Sequence, residues 1–149
     1  MYYTIFISEC QGGAAAEHKY DRRNRRKYSL KVHIVIVTKY RKKLLIGGIA
    51  DDAKQKIYDI ANARGYKIIA METDKDHLHI LLGYDTTDRV CDIVKTIKQE
   101  TAHYLWARNG DALSKEYWKK RIFWSDGYFA ASIGEVSSAT IRNYIEIQG

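Results

Sequence analysis

Proline is absent from this chain of 149 residues, cysteine occurs only at Cys10 and Cys91, and no apolar run approaches membrane length. Without proline, boundaries must be read from glycine, asparagine, aspartate and serine. Two cysteines so far apart make neither a disulfide framework nor a thiolate metal site, and a reducing cytoplasm suits them best. The apolar stretch Tyr2 to Ile7 has no basic residues before it. It is far shorter than the roughly 20 residues a membrane span needs, so it is neither an ordinary signal peptide nor an anchor. Acidic residues are the scarcer charge: 18 Asp and Glu against 25 Lys and Arg leave a formal net charge of +7. Such a chain attracts polyanions over long range, and nucleic acid is the commonest of them.

The length suits one domain with one core. Residues 1–17 read as a flexible appendage, because Gln11-Gly-Gly-Ala-Ala-Ala16 resembles a joint, and residues 18–149 as a single domain. Leu30 to Thr38 is β-branched and almost continuously apolar, as expected of a central strand buried on both faces. Ile49 to Arg64 places Ile49, Ala53, Ile57, Ile60 and Ala61 at helical spacing, with Gly65 positioned for a left-handed cap. Lys67 to Thr73 and His77 to Gly83 form a hairpin across Asp74-Lys75-Asp76. Thr87 or Asp88 caps a helix running to about Arg108, before Asn109-Gly110. A strand around Ile122 to Ala131, interrupted by Asp126-Gly127, precedes a final helix from Ser137 or Ser138 to Gln148. This order predicts an α+β fold: a ferredoxin-like (RRM-like) antiparallel sheet with two helices on one face, plus an extra C-terminal helix.

The strand from His77 to Gly83 carries the most pointed chemistry. Side chains alternate along a strand, so His77 and His79 share one face while Leu78, Ile80 and Leu82 enter the core. Two neutral imidazoles so placed can grip a divalent cation, but a pair seldom holds one without a third ligand. The final helix offers one in Gln148. Tyr144 lies four residues before it on the same helical face, within about one turn. A phenol beside a metal-bound phosphate is a plausible nucleophile, since the cation lowers the barrier to attack by a group whose pKa is about 10. Spacing alone also fits plainer roles: hydrogen-bonded structural histidines, and a packing tyrosine in the stripe Ile141, Tyr144, Ile145, Gln148.

Basic residues gather in three groups: Lys19, Arg22, Arg23, Arg25, Arg26 and Lys27; Lys39, Arg41, Lys42 and Lys43; and Lys115, Lys119, Lys120 and Arg121. Tyr20, Tyr28, Tyr40, Tyr117 and Trp118 lie among them. Cations beside rings that can stack unpaired bases suit single strands and hairpins, although each group could equally be a solvated loop.

Four segments in order carry a resemblance: Val-Thr-Lys-Tyr-Arg-Lys-Lys at 37 to 43, Asp-His-Leu-His-Ile-Leu-Leu at 76 to 82, Trp-Ser-Asp-Gly-Tyr-Phe-Ala-Ala-Ser-Ile-Gly at 124 to 134, and the Tyr144-to-Gln148 helix. From about Tyr28 to Gln148 the chain resembles the single-tyrosine HUH transposases of the insertion-sequence 200/605 class, and their relatives that process repeated palindromes. The resemblance implies a metal-dependent nuclease and strand transferase acting on single-stranded DNA with hairpin ends, working as a homodimer in which the tyrosine helix docks either in its own subunit or, making composite active sites, in its partner. Tyr144 would attack a phosphodiester, leaving a 3′-hydroxyl and a 5′-phosphotyrosine until strand transfer reverses the step. His77, His79 and Gln148 would hold Mg²⁺ or Mn²⁺, and the basic groups would meet the hairpin. The chain departs from the usual pattern at Asp74 and Lys75, where relatives carry an apolar residue and a proline, and in ending one residue past Gln148. A different class also fits the fold: a non-catalytic nucleic-acid-binding protein with structural histidines.

Overall fold

The structure, a computed structural model, describes residues 30–133, the backbone of 21–23 and 26–28, and position 147. A short hairpin opens it: β1 (Asp21–Arg23) pairs with β2 (Arg26–Tyr28) antiparallel, Arg22 opposite Lys27 and Arg23 opposite Arg26. The sequence gives little sign of these strands, because a run so rich in charge lacks an apolar alternation to register.

The main sheet follows expectation closely. β3 (Lys31–Val37) is β-branched at every position from Val32 to Val37 except His33, and all six are buried. α1 (Gly47–Arg64) buries Ala50, Ala53, Ile57, Ile60 and Ala61, and ends at Gly65, whose φ of 79° is the left-handed conformation a glycine adopts without strain. β4 (Lys67–Asp74) and β5 (His77–Gly83) pair antiparallel, with an irregularity between Ile68 and Ala70. β6 (Phe129–Ser132) pairs with the other side of β3. The strand order β4-β5-β3-β6 is that of a ferredoxin-like sheet, and both helices pack on the same face.

The second helix departs from the sequence reading at both ends. α2 (Val90–Glu116) is capped at Arg89, not at Thr87 or Asp88, because the Asp88 carboxylate instead accepts from the Asp85 backbone N–H at 3.0 Å. Nor does it stop near Arg108. Asn109 leaves helical geometry (φ −127°, ψ 29°), yet the chain resumes, and Leu113 beyond the kink is fully buried. The Asp52 carboxylate on α1 accepts from Arg108 Nε and Asn109 Nδ2, both at 3.1 Å, and so holds the kink. Burial of the following turn outweighs a local stop signal.

The expected strand from Ile122 splits at Asp126-Gly127 as foreseen: Trp124 makes one isolated bridge to Thr38, and β6 follows. Between sheet and helices lie Ile34, Ile36, Leu78, Ile80, Leu82, Ile57, Ile93, Ile97, Leu105 and Phe123. Each such side chain contributes about 1.5–3 kcal/mol by leaving water. The final helix and residues 1–17 lie outside the described residues, except Ile147, which is helical. No described helix is long and apolar enough to cross a membrane.

Candidate active site

The face of the sheet opposite α1 and α2 carries the histidines. β5 pairs His79 with Val35 and His77 with Val37, so both imidazoles project on the side away from Leu78, Ile80 and Leu82. His33 joins them from β3, where it stands opposite Leu81. The His77 and His79 ring centroids are 5.2 Å apart, and those of His79 and His33 5.9 Å. All three are buried, His79 completely.

Burial governs their charge. It pushes His77 and His33 down to about 4, and His79 to about 2 with smaller contributions from its two neighbours. At neutral pH each ring is uncharged, the protonation state a metal-ligating imidazole requires. The 2.6 Å contact between His77 Nδ1 and Asp76 Oδ1 is therefore not an ion pair. It is a hydrogen bond in which neutral Nδ1–H donates to a carboxylate. That choice of tautomer makes Nε2 the acceptor nitrogen of the ring.

Among the described residues no group of three or more His, Cys, Asp or Glu is placed to hold a metal ion. The third ligand that the sequence reading offers, Gln148, is not one of these residues. Tyr144 and Gln148 both lie outside the described residues.

A second feature adjoins the first. Thr38 N–H donates to the Asp76 carbonyl at 2.9 Å, and Lys39 N–H to that of Phe123 at 2.8 Å, so the Lys39–Arg41 turn starts one residue from the histidine strand. In it Tyr40 and Arg41 adopt positive φ, 62° and 51°. For residues other than glycine that conformation costs on the order of 1–3 kcal/mol each.

The second and third basic groups converge here, around a cavity of about 490 Å³ lined by Lys39, Tyr40, Tyr117, Trp118, Lys119 and Lys120 among others. Tyr40 and Trp118 are 66% and 76% exposed, with Lys39 5.5 Å and Lys119 4.9 Å from the respective ring centres. Two exposed rings flanked by cations can stack unpaired bases and neutralise phosphates together. Lys39 also reaches Asp126 (3.2 Å) and Lys42 reaches Glu116 (3.0 Å), contacts open enough to exchange for phosphate. Lys43, Lys120 and Arg121 are exposed, and Arg121 lies over the Trp106 ring. Arg22, Arg23, Arg26 and Lys27 are described only as backbone in the β1–β2 hairpin, and Arg25 is not described.

Two residues of this region have roles that the sequence pattern does not display. Asp76 looked like a turn residue, although its place immediately before the histidine strand was the available signal. His33 looked like part of a continuous core strand. Only the pairing register, with His33 opposite Leu81, puts it on the histidine face.

The α+β frame, the buried neutral imidazole pair and the adjoining basic, aromatic cavity together define a nucleic-acid-processing class. The family described as "Transposase IS200 like" matches residues 26–148. The ISDra2 transposase TnpA of Deinococcus radiodurans is 32% identical over 121 residues, which cover 81% of this chain and 85% of that one. The transposase for insertion sequence element IS200 of Salmonella typhimurium is 26% identical over 122 residues, 82% and 78% of the two chains. A crystal structure of a Deinococcus radiodurans R1 protein assigned as a transposase superposes with a TM-score of 0.78 at 30% identity, covering 86% of this chain and 97% of that one. The structure of a REP-associated tyrosine transposase bound to a REP hairpin shares the fold alone, at a TM-score of 0.52 and 12% identity, covering 91% and 70%. The chain belongs to the IS200-like transposase family, and its activity is that of a transposase, a DNA-processing enzyme.

Proposed function

We propose that the protein cuts and rejoins single-stranded DNA through Tyr144, with His77, His79 and Gln148 holding Mg²⁺ or Mn²⁺. The observation that carries this reading is the pair of buried, neutral imidazoles on one strand face, within a family match that extends across positions 144 and 148. The donor set fits the ion: two neutral nitrogens presented side by side, one with its tautomer fixed by Asp76, and an amide oxygen from Gln148. Bound there, the cation withdraws charge from the scissile phosphate.

The chain's own groups do the rest. The Tyr144 oxygen forms a bond to phosphorus, the bond from phosphorus to the 3′ oxygen breaks, and that oxygen leaves as a 3′-hydroxyl with the phenol's proton. The 5′ end stays on Tyr144 as a phosphotyrosine until a second 3′-hydroxyl reverses the exchange, which excises or inserts an element. The exposed Tyr40 and Trp118, with Lys39, Lys119 and Lys120, hold unpaired bases and phosphates beside the site. The solved REP-associated relative was bound to a hairpin, and DNA with hairpin ends is the substrate we assign to this chain. The working unit in this reading is a cytoplasmic homodimer whose active sites are composite.

A palindrome-processing role would use the same chemistry, but the stronger similarity is to insertion-sequence transposases. In a non-catalytic binder His77 and His79 would be structural, and divalent metal would not change its behaviour. His77→Ala and His79→Ala should each abolish cleavage of single-stranded DNA from the flanks of the gene. Normal metal-dependent cutting by either variant would defeat the site assignment.

A further inference from the structure

Arg41 falls in a basic run that reads as a DNA-binding segment, but its side chain is directed inward. Arg41 Nε donates to Asp76 Oδ2 at 3.1 Å, while Asp76 Oδ1 accepts from His77 Nδ1 at 2.6 Å. One carboxylate thus joins the guanidinium to the imidazole, with the Asp76 and His77 side chains 13% and 7% exposed and that of Arg41 33%. We infer that Arg41 and Asp76 are positioning residues, an Arg41-Asp76-His77 relay that fixes the tautomer and ring orientation of a metal-binding histidine. The inference rests on the metal site proposed above.

Three observations support it. The backbone beneath Asp76 is anchored separately, since the Asp76 carbonyl accepts from both Thr38 N–H (2.9 Å) and Thr38 Oγ1 (3.2 Å). The strained turn that delivers Arg41 is closed by its own bonds, Arg41 N–H to the Thr38 carbonyl at 2.9 Å and Thr38 Oγ1 to the Lys42 carbonyl at 2.7 Å. Backbone held at positive φ for two consecutive non-glycine residues is the kind of strain that persists where placing a side chain matters. Finally, a metal-ligating histidine needs its other ring nitrogen engaged, and a carboxylate that is itself oriented does so most firmly. A structural ion pair at the surface would need neither the burial nor the continuation to His77.

The test uses the full chain and needs no cleavage assay. Long-range ¹H–¹⁵N correlation spectra without metal should show His77 protonated at Nδ1, and Asp76→Ala should shift it towards the Nε2–H form that free histidine prefers. Mn²⁺ titration followed by electron paramagnetic resonance should show affinity about 10- to 100-fold weaker in Asp76→Ala. Arg41→Gln should weaken Mn²⁺ binding about several-fold in the same way, with Arg41→Lys recovering part of it. Binding of single-stranded DNA in EDTA should be nearly unchanged in Arg41→Gln. If that variant instead loses DNA affinity and keeps wild-type Mn²⁺ affinity, Arg41 is a phosphate contact and the relay is overturned. A wild-type His77 protonated at Nε2 overturns it on its own, even where Asp76→Ala fails to fold. His77→Ala separates the two readings. Loss of Mn²⁺ there, with none in the Asp76 and Arg41 variants, defeats the relay alone, whereas wild-type Mn²⁺ binding in His77→Ala defeats the metal site itself.

Discussion

Tyr144 carries the heaviest chemical burden of any single side chain in this account, and the role asked of it is narrow: one oxygen. Tyr144→Phe deletes that atom and leaves the ring, so cleavage should vanish while DNA affinity and melting temperature stay close to wild type. Cleavage at the wild-type rate would remove Tyr144 from the mechanism. Thr38 is the structural counterpart. Its buried hydroxyl shares one proton between the carbonyls of Lys42 (2.7 Å) and Asp76 (3.2 Å), each of which also accepts from a backbone N–H, so Thr38→Val should cost only about 0.5–1.5 kcal/mol in denaturant unfolding. At this scale the sequence is legible wherever periodicity speaks. His77 and His79 declare their common face through the two-residue repeat of a strand, and the alternating Leu78, Ile80 and Leu82 mark which face is core. Asp76 and His33 did not declare themselves, because their parts depend on rotamer and on cross-strand register, neither of which a linear pattern encodes.

Among the elements, the turn after β3 and the segment after α2 meet around one cavity, though more than 70 residues separate them in the chain. Replacing Lys39, Lys42 and Lys43 with glutamine should weaken binding to single-stranded DNA and flatten its salt dependence by roughly one ion per lost phosphate contact. An unchanged salt slope would place the DNA path elsewhere. The kinked α2 permits a sharper check of the fold. Leu113 would be a dispensable position if the helix ended near Arg108, yet it is fully buried. Leu113→Ala should therefore destabilise the protein by about 2–5 kcal/mol. The strands of the main sheet and the body of both helices could be read from apolar spacing. The β1–β2 hairpin and the continuation of α2 could not, since the first has no apolar alternation and the second runs through an Asn-Gly pair that ordinarily ends a helix.

At the level of the whole molecule, the three buried histidines link stability to pH. Burial lowers His33 and His77 from 6.5 to about 4 and His79 to about 2, so below pH 6.5 the unfolded chain binds protons that the folded chain refuses. Stability rises with pH wherever the unfolded state holds more protons, so this contribution is complete above about 6.5 and is lost as pH falls towards 4. Thermal melts should show a steep decline between pH 6.5 and 4, shallower in His33→Leu. A flat profile across that window would mean the histidines are not buried as described. Mn²⁺ at about 100 times its dissociation constant should add about 2.7 kcal/mol at neutral pH by mass action.

The proposed mechanism turns on a covalent bond between Tyr144 and a DNA 5′ phosphate. The most direct measurement incubates the protein with labelled single-stranded DNA from the flanks of its own gene, with and without Mn²⁺, and resolves the products on a denaturing gel beside Tyr144→Phe. The account predicts a protein-linked DNA band that requires both Mn²⁺ and Tyr144. DNA bound but never linked, or linked equally well by Tyr144→Phe, would contradict it.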